Sequence, residues 1–234
     1  MSAALLLGVL LGMRHALEAD HLAAVATLTV RSRDAHHAML LGAIWGLGHT
    51  ATLFLVCGIA LLVETRVPLR LAHVLEAAVG VMLILLGADT LRRLWRERVH
   101  LHVHRHDDGI VHLHFHSHAD DSAPHELNHR HTHPGGFPVR ALYIGMMHGL
   151  AGSAALLLIA VGSAGSALKG LLYVALFGLG SIGGMAVLSL AVSLPLRSAR
   201  NVTWLHNGLQ TAVGCCSVAI GGLLLYENLR LTVT

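Results

Sequence analysis

Charge is scarce in this chain. Asp, Glu, Lys and Arg make up 12% of its 234 residues, about half of what a soluble domain carries. Hydrophobic residues reach 54%, and the mean hydropathy is +0.64. A water-exposed surface cannot be built from this mixture. Cysteine is limited to Cys57, Cys215 and Cys216, all in apolar stretches and none in a CxxC pair, which excludes a disulfide framework and a cysteine zinc site. The three are expected to be reduced core residues. Neither a phosphate-binding P-loop nor an HExxH motif occurs, so the sequence offers no support for an ATPase or a zincin-type protease. No nucleophile and base pair stands out, and an enzyme is not expected. Aromatic residues are only 4%. The arginines sit in short loops rather than on an aromatic-interleaved basic face, so the net charge of +3 does not imply nucleic acid. The start, Met1-Ser2-Ala3-Ala4-Leu5, lacks a basic leader and a small-residue cleavage site, and is expected to remain in the mature protein.

What the chain has instead is a series of apolar stretches, each long enough to cross a hydrocarbon core of roughly 30 Å at about 1.5 Å per residue. Strands of a membrane barrel would alternate apolar and polar residues. These stretches are apolar all round, so a helical bundle is expected. Six transmembrane helices are placed at about Ser2 to Val30, His36 to Val63, Leu69 to Leu94, Val139 to Gly162, Leu168 to Leu196 and Thr203 to Asn228. The chain divides into a first three-helix unit (1–94), a polar insert (95–138) and a second three-helix unit (139–234).

The two units resemble each other. Gly12-Met13-Arg14-His15-Ala16-Leu17 matches Gly145-Met146-Met147-His148-Gly149-Leu150, Gly46-Leu47-Gly48 matches Gly178-Leu179-Gly180, and Ala78-Val79-Gly80 matches Ala212-Val213-Gly214. The three offsets are 133, 132 and 134 residues, so helix order is kept with almost no slippage. Units with an odd number of crossings enter the bilayer in opposite senses, which predicts inverted repeats with a site near the midplane. Arginine sets the orientation. Arg31, Arg33, Arg92, Arg93, Arg96, Arg98, Arg105, Arg130, Arg140, Arg197 and Arg200 fall on one side, and Arg66, Arg70, Lys169 and Arg230 on the other. The richer side is cytoplasmic. This predicts a multi-pass plasma (inner) membrane protein with both termini outside and the insert in the cytoplasm.

Arg14-His15-Ala16-Leu17-Glu18-Ala19-Asp20-His21 places ionisable groups deep in the first segment, where a charge costs on the order of 2.5–3.5 kcal/mol even on insertion scales. Carboxylate with imidazole suits a borderline divalent ion, whose charge offsets the desolvation of the carboxylate. The alternative is a structural network in which Arg14 neutralises Glu18 one turn on. On a regular helix His15, Glu18 and His21 share a face while Asp20 lies about 140° from His15. A bulge or break at the motif would bring them together, and the segment's 29 residues are longer than one crossing needs. His49 lies mid-segment beside small residues that permit close helix approach. His148 is the repeat partner of His15, with Ser153 and Ser181 as weaker polar neighbours. His73, Glu76, Asp89 and His206 are closer to segment ends and read as interfacial groups. Met13, Met146 and Met147 read as core filling.

His15, four residues, then Asp20-His21 resembles the HX4DH signature of the nickel/cobalt transporter family (NiCoT) and its NicO relatives, and Leu47-Gly48-His49-Thr50 resembles that family's second signature. The resemblance implies a metal-recognition role for His15, Asp20, His21 and His49. It implies a secondary transporter of Ni2+ or Co2+, with Zn2+ or another divalent ion as further candidates. The larger family members have eight membrane helices with HX4DH in the second. Here the motif is in the first, and His148-Gly149-Leu150-Ala151-Gly152-Ser153 is similar to the shorter urease-accessory-type nickel permeases. An intramembrane metalloenzyme activating water with the same ligands is one alternative, and a membrane-tethered metal store or sensor is another.

Twelve of the 20 histidines lie between His100 and His133. His100, His102, His104 and His106, then His112, His114, His116 and His118, recur at period two, which gives each set one face of an extended strand. Asp107-Asp108-Gly109 signals a turn between them, and alignment of the faces is expected to set His106 opposite His112. With His129, His131 and His133 the insert reads as an unselective metal-binding segment, the alternative being a solvated, pH-dependent linker. The expected partners are the ion and the lipid bilayer, with a cytoplasmic metal chaperone as a candidate at the insert. Oligomeric state is not read from the sequence.

Overall fold

A computed structural model of the protein describes residues 2–30, 32, 34–63, 68–96, 100–105, 111–116, 138–164, 167–199 and 202–233. The elements are α1 (Ser2–His15), α2 (Ala19–Thr29), α3 (Ala35–Leu62), α4 (Leu69–Arg96), β1 (His100–Arg105), β2 (Val111–His116), α5 (Val139–Ala164), α6 (Ala167–Ser198) and α7 (Thr203–Val233). Four helices among the described residues, at Ala35–Ala60, Leu69–Arg96, Leu168–Ser198 and Thr203–Thr232, are long and apolar enough to cross a membrane. The chain is therefore an α-helical, multi-pass membrane protein.

Its polarity is arranged for lipid. His49, Ser181, Ser189, Ser193 and Ser217 are fully buried, while Leu6, Leu55, Leu85, Leu179, Val187 and Leu223 are each more than half exposed. Water would favour the reverse distribution. Hydrocarbon does not oppose exposed leucine, and it favours placing polar groups inside the bundle.

The first expected segment is not one helix. Its backbone stops after His15 and restarts at Ala19, because Glu18 is extended at φ −64°, ψ 149° and breaks the i to i−4 ladder. The amides of Leu17 and Glu18 bond instead to the carbonyls of Arg14 and His15, tightening the last turn of α1. Arg14 and His15 occupy the last turn of α1 and Asp20 the first turn of α2, so each charge type sits at the helix end whose dipole favours it. At the far end of α2 the chain turns into α3, whose N-cap Asp34 accepts the His37 amide at 2.7 Å. That amide holds the Asp34 carboxyl below the usual carboxylate range.

α3 packs along both α6 and α5, α1 along α6, and α4 along α7. Glycine permits these approaches. A Cβ at Gly145 would strike the Trp45 carbonyl, and one at Gly149 the His49 carbonyl, so α5 lies backbone to backbone against α3. In the same way Gly12 of α1 meets the Phe177 carbonyl of α6. Between α4 and α7, a Cβ at Gly80 would come within 2.7 Å of the Gly221 carbonyl, and one at Gly87 within 2.6 Å of the Gly214 carbonyl. Ser217 Oγ donates to the Leu83 carbonyl at 2.9 Å in this interface, and His73 Nδ1 meets Asn228 Oδ1 at 2.9 Å. His73 is thereby a helix-to-helix link rather than a surface group.

Two further expectations are corrected. Cys57 is buried, but Cys215 and Cys216 are exposed, because consecutive α7 positions project from the side away from α4. The insert does form an antiparallel hairpin, with Cα partners His100↔His116, His102↔His114 and His104↔His112. In this register His112 opposes His104 and not His106. A slip of two residues keeps histidine opposite histidine, so strand periodicity alone does not select between these registers. His106, His118, His129, His131 and His133 lie outside the described residues, as do the side chains of both strands.

Gly145→Val should lower the melting temperature of the detergent-purified protein by the equivalent of about 1–3 kcal/mol or more, since the opposing group is backbone and cannot repack. Gly208, with nothing within 4 Å of a Cβ, should accept alanine at no cost or gain about 0.5–1 kcal/mol. Equal melting temperatures for the two variants would show that the α3 and α5 backbones are not in contact.

Candidate metal centre

The break after α1 brings together residues that one helix would separate. His15 ends α1, Asp20 and His21 begin α2, His49 lies midway along α3, and His148 comes from α5. The His15 and His21 ring centroids are 4.4 Å apart, His21 and His148 4.4 Å, His15 and His49 5.3 Å, and His21 and His49 5.2 Å. Nitrogen atoms of His15, His21 and His49 all lie within 4.8 Å of one another, and so do ligand atoms of Asp20, His21 and His148. His21 belongs to both groups.

Asp20 ties the first half of the chain to the second. Its Oδ1 accepts the His21 backbone N–H at 2.9 Å and lies 3.0 Å from His21 Nδ1, and its Oδ2 lies 2.9 Å from His148 Nε2. Glu18 pairs with His15, Oε1 to Nδ1 at 3.0 Å. The alternative in which Glu18 is spent on Arg14 therefore does not describe the carboxylate's closest partner. His49 is fully buried, and neither of its ring nitrogens has a hydrogen-bond partner among the described residues. His21 Nε2 and His148 Nδ1 are buried and unpartnered as well. An unsatisfied buried polar atom costs about 1–3 kcal/mol, so four such nitrogens in one place are costly as packing and suitable as ligands.

Two aromatic walls complete the cluster. Trp45 stands 5.4 Å from His21 and 5.6 Å from His148, centroid to centroid, and Phe177 stands 5.3 Å from His15. Sequence reasoning passed over both. A signal was present, since Trp45 and Phe177 precede His49 and Ser181 by four residues and are themselves 132 apart, the offset that relates the two halves. Ser181 is buried and donates to the Gly12 carbonyl at 3.2 Å, anchoring α1 just before its end. Ser153 lies on α5, and its side chain is outside the described residues.

A cavity of about 560 Å³ reaches this cluster, lined by His15, Asp20, His21 and His148 together with Arg14, Glu18, Glu76 and Tyr173. Glu76, read from sequence as an interfacial group, is thus part of the approach to the histidines. Asp89, the other acidic residue of α4, is not. It bonds Arg93 at 2.9 Å and Arg140 of α5 at 3.0 Å, beside a separate cavity of about 200 Å³.

His49→Leu should distinguish a ligand from a packing residue. Removing two unpartnered nitrogens should leave the metal-free protein as stable as wild type or up to about 1–3 kcal/mol more stable. Added Ni2+ or Co2+ should raise the melting temperature of wild type and have a smaller effect on the variant. A destabilised variant with an undiminished response to metal would mark His49 as structural.

No protein-family model matches the chain, and no solved structure matches it. The chain is similar to the urease accessory protein UreH of Bacillus sp. (strain TB-90), with 32% identity over 230 residues that cover 97% of this chain and 92% of the relative. At that identity over nearly the whole of both proteins, with the broken first helix and its histidine cluster inside the matched length, the chain belongs to the UreH family of urease accessory proteins.

Proposed function

We propose that this protein is a secondary transporter of a divalent transition-metal ion, most consistent with nickel and extending to cobalt. The observation that carries this reading is the group of three buried histidines, His21, His49 and His148, with the partly buried His15 and Asp20, at a broken helix inside a membrane bundle and reached by a cavity. Imidazole nitrogen suits nickel and cobalt. The relative's designation as an accessory to urease, a nickel enzyme, favours nickel.

In this reading the units 1–94 and 139–234 are inverted repeats of three crossings each, six in all, with α1 and α2 together forming the first. Reciprocal packing supports it. Exchanging the halves turns the contact of Gly12 with the Phe177 carbonyl into that of Gly145 with the Trp45 carbonyl, and the contact of Gly80 with Gly221 into that of Gly87 with Gly214. The arginine-rich ends and the histidine-rich insert face the cytoplasm. Glu76 and Tyr173 lie seven and six residues into α4 and α6, from the ends opposite the arginine-rich loops, so the cavity beside the histidines is the outward-facing approach. Asp89, bonded to Arg93 and Arg140, ties α4 to α5 on the cytoplasmic side of the cluster. A hydrated ion enters past Glu76 and Glu18, exchanges water for His15, His21 and His49, and leaves when the halves rock and that tie opens. The insert, with His100, His102 and His104 opposite His116, His114 and His112, collects or buffers ions at the cytoplasmic mouth.

Proteoliposome flux tests this directly. His15→Ala and Asp20→Ala should reduce Ni2+ and Co2+ flux to the level of empty liposomes, and deletion of residues 100–133 should leave basal flux in place. Right-side-out and inverted vesicles read the direction. Full flux in both point variants would reject the site, and loss of all flux on deleting the insert would favour a metal store.

A further inference from the structure

A question left open by the cluster is what its carboxylate does. Both oxygens of Asp20 already have imidazole partners, His21 Nδ1 at 3.0 Å and His148 Nε2 at 2.9 Å, and Oδ1 also takes the His21 amide at 2.9 Å. An ionised carboxylate only accepts, so each of those ring nitrogens carries the proton. A neutral imidazole protonated on one nitrogen bears its lone pair on the other. The other nitrogens are His21 Nε2 and His148 Nδ1, and both are buried with no hydrogen-bond partner among the described residues.

We infer that Asp20 is a positioning residue rather than a ligand: it fixes the tautomers of His21 and His148 so that His21 Nε2, together with His15 and His49, binds the ion through nitrogen alone. The inference rests on the metal-site reading given above and assigns Asp20 a separate role within it. A carboxylate behind a metal-bound imidazole orients the ring and raises its basicity. Here one carboxylate does so for two rings on different helices. His15 repeats the arrangement, with its Nδ1 held at 3.0 Å by Glu18, which leaves Nε2 for the ion. His49 has no carboxylate partner among the described residues and supplies a nitrogen held only by packing. The negative charge of Asp20 still offsets the charge of the ion from one shell further out. An all-imidazole shell also accounts for three of the four histidines being backed by carboxylates, His15 by Glu18 and His21 and His148 by Asp20, where direct ligation would require Asp20 to give up one of its two imidazole bonds.

The test uses full-length protein in detergent, Co2+ as the probe, and its visible absorption as a report of the ligand set. The histidine-rich insert contributes equally to every variant, so difference spectra against wild type isolate the cluster. Asp20→Asn should keep the wild-type band positions while Co2+ affinity falls about 10–100-fold, because the ligands remain and one ring loses its correct tautomer. Asp20→Glu should keep the bands and recover part of the affinity, and it serves if the asparagine variant does not fold. His49→Ala should change the bands. Displaced bands in Asp20→Asn or Asp20→Glu, with His49→Ala also displaced, would make Asp20 a ligand and overturn the inference while keeping the site. Unchanged bands and affinity in His49→Ala would instead reject the site itself.

Discussion

The break between His15 and Ala19 is the constraint on which the rest of this structure depends. A continuous helix would turn Asp20 about 140° away from His15 and leave a carboxylate facing either lipid or packed side chains. Ending α1 at His15 and restarting at Ala19 sets the His21 ring 4.4 Å from that of His15 and turns Asp20 onto His21 and His148. It also frees backbone groups that the membrane interior cannot solvate. Those groups are met locally, by the tightened bonds of Leu17 and Glu18 and by Ser181 Oγ on the Gly12 carbonyl. The break is therefore held by the helix packed against it, and α6 belongs to the fold of the site although it contributes no nitrogen.

Close helix contact has the same status. His49 and His148 meet across the α3 and α5 interface, and Gly145 and Gly149 remove the side chains that would hold those backbones apart. Lipid gives no hydrophobic drive for helix association, so stability comes from close packing and from internal hydrogen bonds. The buried serines and the Gly80, Gly87, Gly214 and Gly221 seam supply both. Against that background, the four unpartnered imidazole nitrogens are the largest concentration of such groups among the described residues, a cost in stability of the kind functional sites carry.

Much of this was legible in the sequence, and the boundary of what was legible has a physical cause. Hydropathy located the helices to within a few residues, since length and apolarity are local properties. Mid-segment position and the internal repeat singled out His15, His49 and His148. The 140° conflict required an interruption near Asp20, and the backbone is interrupted at Glu18. Contacts between distant segments were not legible. The bond from Asp20 to His148 depends on how α5 crosses α3, and the placement of Glu76 depends on where the cavity runs. Cys215 and Cys216 were misplaced because an all-round apolar helix has no polar face to mark its outside. The hairpin register slipped by two because a period-two pattern is unchanged by such a shift.

The two halves are not equivalent at the site, and the difference constrains any transport cycle. His15, Asp20, His21 and His49 come from the first half and His148 alone from the second. At the positions matching Asp20, His21 and His49, the second half has Ser153, Ala154 and Ser181. In the proposed site, the three histidines that would hold the ion all belong to the first half. Among the bonds between the halves, two join charged groups of the first half to α5: the 2.9 Å contact of Asp20 with His148 and, near the arginine-rich end, the tie from Asp89 to Arg140. In the proposed cycle the helix that carries His148 is the one through which the second half reaches the histidines of the first, and its backbone contact with α3 at Gly145 and Gly149 sets how far it can shift without moving His49.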